Sequence, residues 1–206
     1  MTTFDHHTAR HLMTDGEQDQ ELERRKQRLH ELGLGDRPDP EFDAFAARLA
    51  EGAASLAQLG GTPYAMVNLI TDHQYFTGLY APPADWADPS LADQPGGKPE
   101  VSRIMDRDHG YCPHVVGRRT ALVLPDVCAY PRFAGNPVVD QIGIRTYMGA
   151  PLIDPVTDVT LGTVCVVDTE PRPWGRQAQE GLEFIKTQAR SLMEILEERS
   201  RGRAAS

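Results

Sequence analysis

The chain has 206 residues, 40% hydrophobic and 25% charged, with a net charge of −9. That length and mix fit one globular domain with extensions, large enough to bury a core without disulfides or metals. The acidic balance excludes the electrostatic footprint of a nucleic-acid or anionic-membrane binder.

Residues 1–17, polar and His-rich, read as a disordered leader without the apolar stretch of a secretory signal. From Gln18 to Leu34 the chain is charged, with Leu22, Leu29 and Leu32 at helical spacing, so a helix with one narrow apolar stripe is expected. Asp39-Pro40 starts a second helix, with a carboxylate cap and proline at the first helical position. Phe42, Phe45, Leu49, Ala53 and Leu56 give it an apolar face, and Gly60-Gly61 stops it.

Tyr64–Thr71 is rich in strand formers, Asp72-His73 turns the chain, and Gln74–Tyr80 pairs back as a hairpin. The Pro-rich stretch 81–100 has no periodicity; a loop of that length is a lid, a binding loop or locally disordered. A short helical segment over His109–Val116 and a strand over Thr120–Leu124 follow. Ile144–Ile153 and Val159–Val167 form a second hairpin around Pro155, and Gln177–Arg199 forms the last helix. Its residues Leu182, Ile185, Ala189, Leu192 and Leu196 make a heptad-like seam. Residues 18–199 thus read as one domain, with a tail over 200–206. The element order describes an α+β fold, an antiparallel sheet with flanking helices, with Tyr64–Ile70 and Val159–Val167 expected in the sheet's interior and Leu49, Val67, Leu69, Leu152, Leu161 and Val166 in the core. The apolar runs fall far below the ~20 residues of a membrane helix, and a reducing, cytoplasmic setting is expected.

Three cysteines, Cys112, Cys128 and Cys165, have no framework spacing. Cys112 and His114 lie two residues apart. An imidazolium beside a thiol favours the reactive thiolate; the alternative is a small buried Cys near a surface or capping His. Cys165, between Val164 and Val166, shares a strand face with Thr163 and Val167 and reads as core. His109, Cys112, His114 and Cys128 are ligand types that suit zinc, but their spacing matches no zinc pattern, so no metal is assigned. Tyr147 offers a ring and a hydroxyl to a flat polar ligand, or else a cross-strand packing pair. Phosphate-binding glycine loops are absent from the sequence.

Several blocks in order carry a family resemblance over about Leu29 to Leu196. They are Tyr64–Ile70 with Asp72–Phe76, Gly110-Tyr-Cys-Pro-His-Val-Val116, Pro125-Asp-Val with Arg132-Phe and Asn136-Pro, and Leu161-Gly-Thr-Val-Cys-Val-Val-Asp168. Together they resemble a GAF domain, the small-molecule-sensing module of bacterial signalling proteins. The resemblance implies a central antiparallel sheet of about five or six strands. It puts terminal helices on one face and a ligand pocket of loop and short helix on the other. Tyr75, Cys112, His114, Cys128 and Tyr147 are then the candidate ligand-binding residues, between the sheet and the 81–116 segment, with Cys112 and His114 the pair to carry any redox chemistry.

The function implied is sensory: binding of an unidentified small molecule, or redox sensing, with a signal passed through terminal helices to a separate partner. A homodimer through the last helix is expected. An alternative is a thiol enzyme resembling the GAF-fold reductases of free methionine sulfoxide, since Gly110-Tyr-Cys112 is similar to a Gly-x-Cys of that family. Phe133–Pro137 lacks the second cysteine found there just after the connector. The other alternative is a dimeric adaptor without a ligand. Cys112 is followed by Pro113 where bilin-binding members have His, and the cyclic-nucleotide signature is absent. No cofactor is assigned.

Overall fold

The computed structural model describes residues 3–5, 10–12, 19–57, 61–82, 102–174 and 178–204. Two short strands, β1 (Thr3–Asp5) and β2 (Arg10–Leu12), pair with each other; the rest of the expected disordered leader lies outside the described residues. Two helices follow, α1 (Leu22–Glu31) and α2 (Pro40–Ala57), then the hairpin β3 (Tyr64–Ile70) and β4 (Gln74–Tyr80). Most of the Pro-rich stretch lies outside the described residues. The chain resumes with β5 (Ile104–Met105), α3 (Cys112–Arg118) and β6 (Leu122–Leu124). A connector of one 3-10 turn (Val127–Ala129) and two short helices, α4 (Pro131–Ala134) and α5 (Pro137–Ile142), comes next. The hairpin β7 (Thr146–Ile153) and β8 (Thr160–Asp168) and the long α6 (Gln179–Ala204) complete it.

The main sheet has six antiparallel strands in the order β5-β4-β3-β8-β7-β6. The fold is therefore α+β, with β3 and β8 at its centre. Sequence hairpins supply two of the five joins, β3 on β4 and β7 on β8. The central join, β3 on β8, pairs Tyr64 with Val167 and Asn68 with Thr163.

Both faces of this sheet are covered. On one, Ala65, Val67, Leu69, Val164 and Val166 pack with Phe42, Leu49, Ala53, Ile185 and Leu192 from α2 and α6. On the other, Met66, Ile70 and Cys165 pack with Val115 of α3 and with Val127, Phe133 and Val138 of the connector. Leu49, Val67, Leu69, Leu152, Leu161 and Val166, the core expected from sequence, are all buried.

The capping expected for α2 is present. Asp39 Oδ1 accepts from the backbone N–H of Glu41 at 3.0 Å. The same carboxylate meets Arg199 of α6 at 2.7 Å, and the Arg199 guanidinium lies 4.5 Å from the centre of the Phe42 ring. One side chain thus caps α2 and ties it to the far end of α6. The hydrogen bond from Arg199 holds the Asp39 carboxyl below its ordinary range, against partial burial.

Arg25 fixes α1 in a similar way. It is almost wholly buried. Its Nε donates to the Thr160 carbonyl, Nη1 donates to the Ile70 carbonyl at 3.2 Å, and Asp19 balances its charge at 2.5 Å. A buried charge is tolerated only when paired and hydrogen-bonded in this manner.

In α6, Ile185, Ala189, Leu192 and Leu196 are buried inside the single chain. The heptad-like spacing serves packing on the sheet and on α2. Among the described residues no helix is long and apolar enough to cross a membrane.

Two predictions follow from this packing. A Cβ at Gly162 would lie 2.0 Å from the Asn68 carbonyl oxygen, whereas nothing lies within 4 Å of one at Gly117. Gly162→Ala is expected to cost about 3 kcal/mol, and Gly117→Ala, within α3, to gain about 0.5 kcal/mol, measured by urea unfolding. In Asp39→Asn the cap survives but the ion pair is lost, costing roughly 1 kcal/mol at neutral pH. Because the folded carboxyl titrates below its ordinary value of 3.8, wild type keeps this advantage above that value. It loses the advantage as pH falls through the lowered value. Melting curves from pH 7 downward should converge at the acid end.

Candidate functional site

Cys112 is the first residue of α3, and Tyr111 before it is buried against Phe133 and Tyr147, with ring centres 5.8 and 5.2 Å away. This aromatic anchor fixes where the helix begins. Two polar clamps hold the approach to it. Asn136 accepts from the Gly110 N–H at 3.0 Å and donates to the Gly110 carbonyl at 2.7 Å. Gln74 of β4 donates to the carbonyls of Asp106 and His109 at 2.8 and 2.7 Å. Gly110 has φ +72°, a conformation that favours glycine.

So held, α3 sets Cys112 against the sheet. Its Sγ lies 3.5 Å from Cys165 Sγ on β8, close enough for one thiol to donate to the other. Tyr147 Oη donates to Cys112 Sγ at 3.4 Å. The Tyr147 phenol can lie along β7 only because residue 149 is glycine: a Cβ there would fall 2.1 Å from the phenolic oxygen. Thr163 and Asn68, cross-strand partners on β8 and β3, complete a polar cluster on this face. Asn68 Nδ2 donates to Gln74 Oε1 at 2.8 Å. Asn68 Oδ1 and Thr163 Oγ1 are buried and have no hydrogen-bond partner among the described residues.

The two thiols do not titrate alike. The hydrogen bond from Cys165 pulls the Cys112 thiol below its ordinary range against burial, with help from Tyr147 and Asn68. Cys165 is pushed far up by that same hydrogen bond and by burial. The two thiols share their first proton loss, and Tyr147 Oη, which donates to Cys112 Sγ, favours the negative charge on that sulfur. Burial and the neighbouring sulfurs push the Tyr147 phenol up as well, so it remains a donor.

Of the five residues expected to share a site, the structure brings together Cys112 and Tyr147. His114 sits edge-on to the Phe133 ring, centres 5.3 Å apart. Burial, then Arg132 and Arg118, lower its pKa to about 4. It is neutral at physiological pH and cannot be the cation that activates Cys112; hydrogen-bond donors do that work. Cys128 is exposed on the connector, its backbone N–H held by Asp126. Tyr75 is buried but pairs with Leu69, whose side chain belongs to the helical face, so it lies on the opposite side of the sheet from Cys112.

Sequence reasoning missed Cys165 and Asn68 as site residues. The available signal was alternation: Thr163 and Cys165 put polar atoms on one face of a strand whose other face carries Val164 and Val166. Among the described residues no group of three or more His, Cys, Asp or Glu could hold a metal.

The expected cavity can be followed only along residues 102–116, since 83–101 lie outside the described residues. There Tyr111, Cys112, Val115 and Tyr147 fill the space. Two cavities lie elsewhere. One of about 280 Å³ is lined by Arg28, Asp154 and Leu196. Another of about 540 Å³ is lined by Ala150, Pro151 and Arg190.

Comparison with known proteins is consistent with this architecture. The family model described as GAF domain matches residues 45–192. No protein of curated function matches the sequence. Among solved structures, the GAF domain of an Acinetobacter phosphoenolpyruvate-protein phosphotransferase is similar with a TM-score of 0.50 at 13% identity, over 88% of this chain and 95% of that one. The free methionine-R-sulfoxide reductase of Neisseria meningitidis, in complex with its substrate, gives 0.49 at 15% identity over 95% and 98%. At 13% identity the Acinetobacter domain bears on fold alone. With the family model spanning well over half of the sequence, the chain belongs to the GAF domain family.

Proposed function

We propose that the chain is a sensory module whose sensing element is the polar cluster between the sheet and α3. In this reading it passes its state through α2 and α6 to a partner protein or a second copy. The observation that carries the reading is the presence, beside two thiols in the middle of the domain, of two buried polar atoms that have no partner among the described residues. A core kept only for stability gains nothing from an orphaned hydroxyl, which costs roughly 1–3 kcal/mol. Such groups persist where function needs them.

The alternation of β8 supports this reading. Cys165 and Thr163 face the cluster, while Val164 and Val166 between and beside them face α2 and α6. A change that moves β8 on one side must repack the other, because packed interiors shift between discrete arrangements. The catalytic alternative is less well supported. The connector's Cys128 is exposed whereas Cys112 and Cys165 are buried, and Phe133–Pro137 contains no cysteine.

The test is an isosteric replacement. Thr163→Val keeps the shape and removes the orphaned hydroxyl. It is expected to stabilise the protein by about 1 kcal/mol, read by denaturant unfolding, while purified wild type shows no turnover of free methionine sulfoxide. A destabilised Thr163→Val protein would make the cluster structural. Turnover of the sulfoxide would make the chain an enzyme.

A further inference from the structure

We propose that Cys112 and Cys165 are a reversible redox pair that closes to a disulfide on reaction with a small hydroperoxide. The inference deepens the sensory reading by naming a stimulus, and rests on that reading for its purpose though not for its chemistry.

Proximity is the first ground. The sulfurs are 3.5 Å apart although their residues are 53 positions apart in sequence. A disulfide needs about 2.05 Å, so closure requires a movement of about 1.5 Å. The strand cannot supply it, because β8 is hydrogen-bonded on both sides by β3 and β7. The seven-residue α3 can: it is one short helix, entered through Gly110 at positive φ and held by side-chain clamps. Closing the bond therefore draws the start of α3 onto the sheet.

Chemistry is the second ground. The attacking sulfur is identified by its donor: Tyr147 Oη points at Cys112 Sγ. The Cys112 thiolate attacks one oxygen of ROOH and the O–O bond breaks. Cys112–SOH forms, and the departing alkoxide takes up a proton and leaves as ROH. Cys165 sulfur, giving up its proton, then attacks the Cys112 sulfur. The S–S bond forms and the sulfenic oxygen leaves as water. In sum the two thiols lose two electrons and two protons, and the hydroperoxide becomes ROH and H2O. An external dithiol reverses the step by exchange.

Orphaned acceptors are the third ground. Asn68 Oδ1 and Thr163 Oγ1, both buried and without partners among the described residues, flank the sulfurs. They offer hydrogen bonds to a small polar molecule and to the water it yields. Cys112 and Cys165 are nearly inaccessible, which restricts the oxidant to the smallest of its class. Cys128 is the exposed cysteine, yet it has no second thiol to resolve a sulfenic acid.

Hydrogen peroxide is the probe. Cys128→Ser protein, which retains only the pair, is treated and then mapped by mass spectrometry without reductant. The expected result is a single linked peptide containing Cys112 and Cys165, a mass lower by two hydrogens, and full return on adding dithiothreitol. Tyr147→Phe should slow closure roughly tenfold, since it removes a donor to the attacking thiolate. In Cys165→Ser, dimedone should trap a sulfenic acid at Cys112. Wild type mapped in parallel covers the case in which a variant fails to fold. Persistent free thiols at both positions, stepwise over-oxidation without a link, or a link only between chains overturns the proposal. If the disulfide forms but amide exchange in α2 and α6 does not change, the redox pair stands and the sensory reading falls.

Discussion

The rest of the structure depends on one constraint: the central strands β3 and β8 are buried on both faces. A strand at the edge or surface of a sheet can send polar side chains to water, and these two cannot. Each residue along them must therefore satisfy one of two interiors, alternately. One interior is apolar and helical, filled by Ala65, Val67, Leu69, Val164 and Val166. The other accepts Asn68, Thr163 and Cys165 as well as Met66 and Ile70. Polar groups in the second interior cost stability unless each finds a partner, so their arrangement is decided by what α3 brings to meet them.

The connector explains why α3 can meet them at all. Its motif residues do structural work. Asp126 caps the 3-10 turn and pairs with Arg145 at 2.8 Å. Asn136 caps α5 and at the same time clasps Gly110 across 26 residues. Asp168, wholly buried at the end of β8, is neutralised by Arg172. Of these side chains, Asn136 is the one that fixes the chain at the entry to α3. The blocks by which the family is recognised in sequence thus describe a scaffold, and they say little about what the scaffold senses.

That division governs how much could be read in advance. The hairpins, the capped start of α2 and the central position of β3 and β8 were legible, because hydrophobic period, turn residues and caps are local signals. The connector's short helices were not resolved beyond a turn-rich segment, since helices of four and six residues have too few turns to show a period. Side-chain direction was less legible still. His114 and Cys112 are two apart on a helix, which places them on different faces, and so one meets Phe133 while the other meets Cys165. Tyr75 fell on the wrong side of the sheet because face depends on register, and β4 carries an extra residue, Thr77, opposite the Val67–Asn68 step of β3, which breaks simple alternation along β4. The pairing of Cys112 with Cys165 joins two segments whose spacing in sequence carries no signal.

The last helix shows a limit of a different kind. Apolar residues three and four apart fit a coiled coil and equally fit a helix lying on a sheet, because both need one stripe on one side. In α6 the stripe is consumed by the domain itself. Leu192 and Leu196 meet the helical-face core, and Arg199 beyond them closes on Asp39 and the Phe42 ring of α2. The two helices that leave the sheet on this side are thereby locked to each other and to β3 and β8. Whatever happens to Cys165 on the opposite face is separated from that lock only by the thickness of one strand. In the reading proposed above, transmission requires no long path: a bond that draws α3 onto β8 repacks the surroundings of Cys165, and Val164 and Val166 on either side of it belong to the helical-face core.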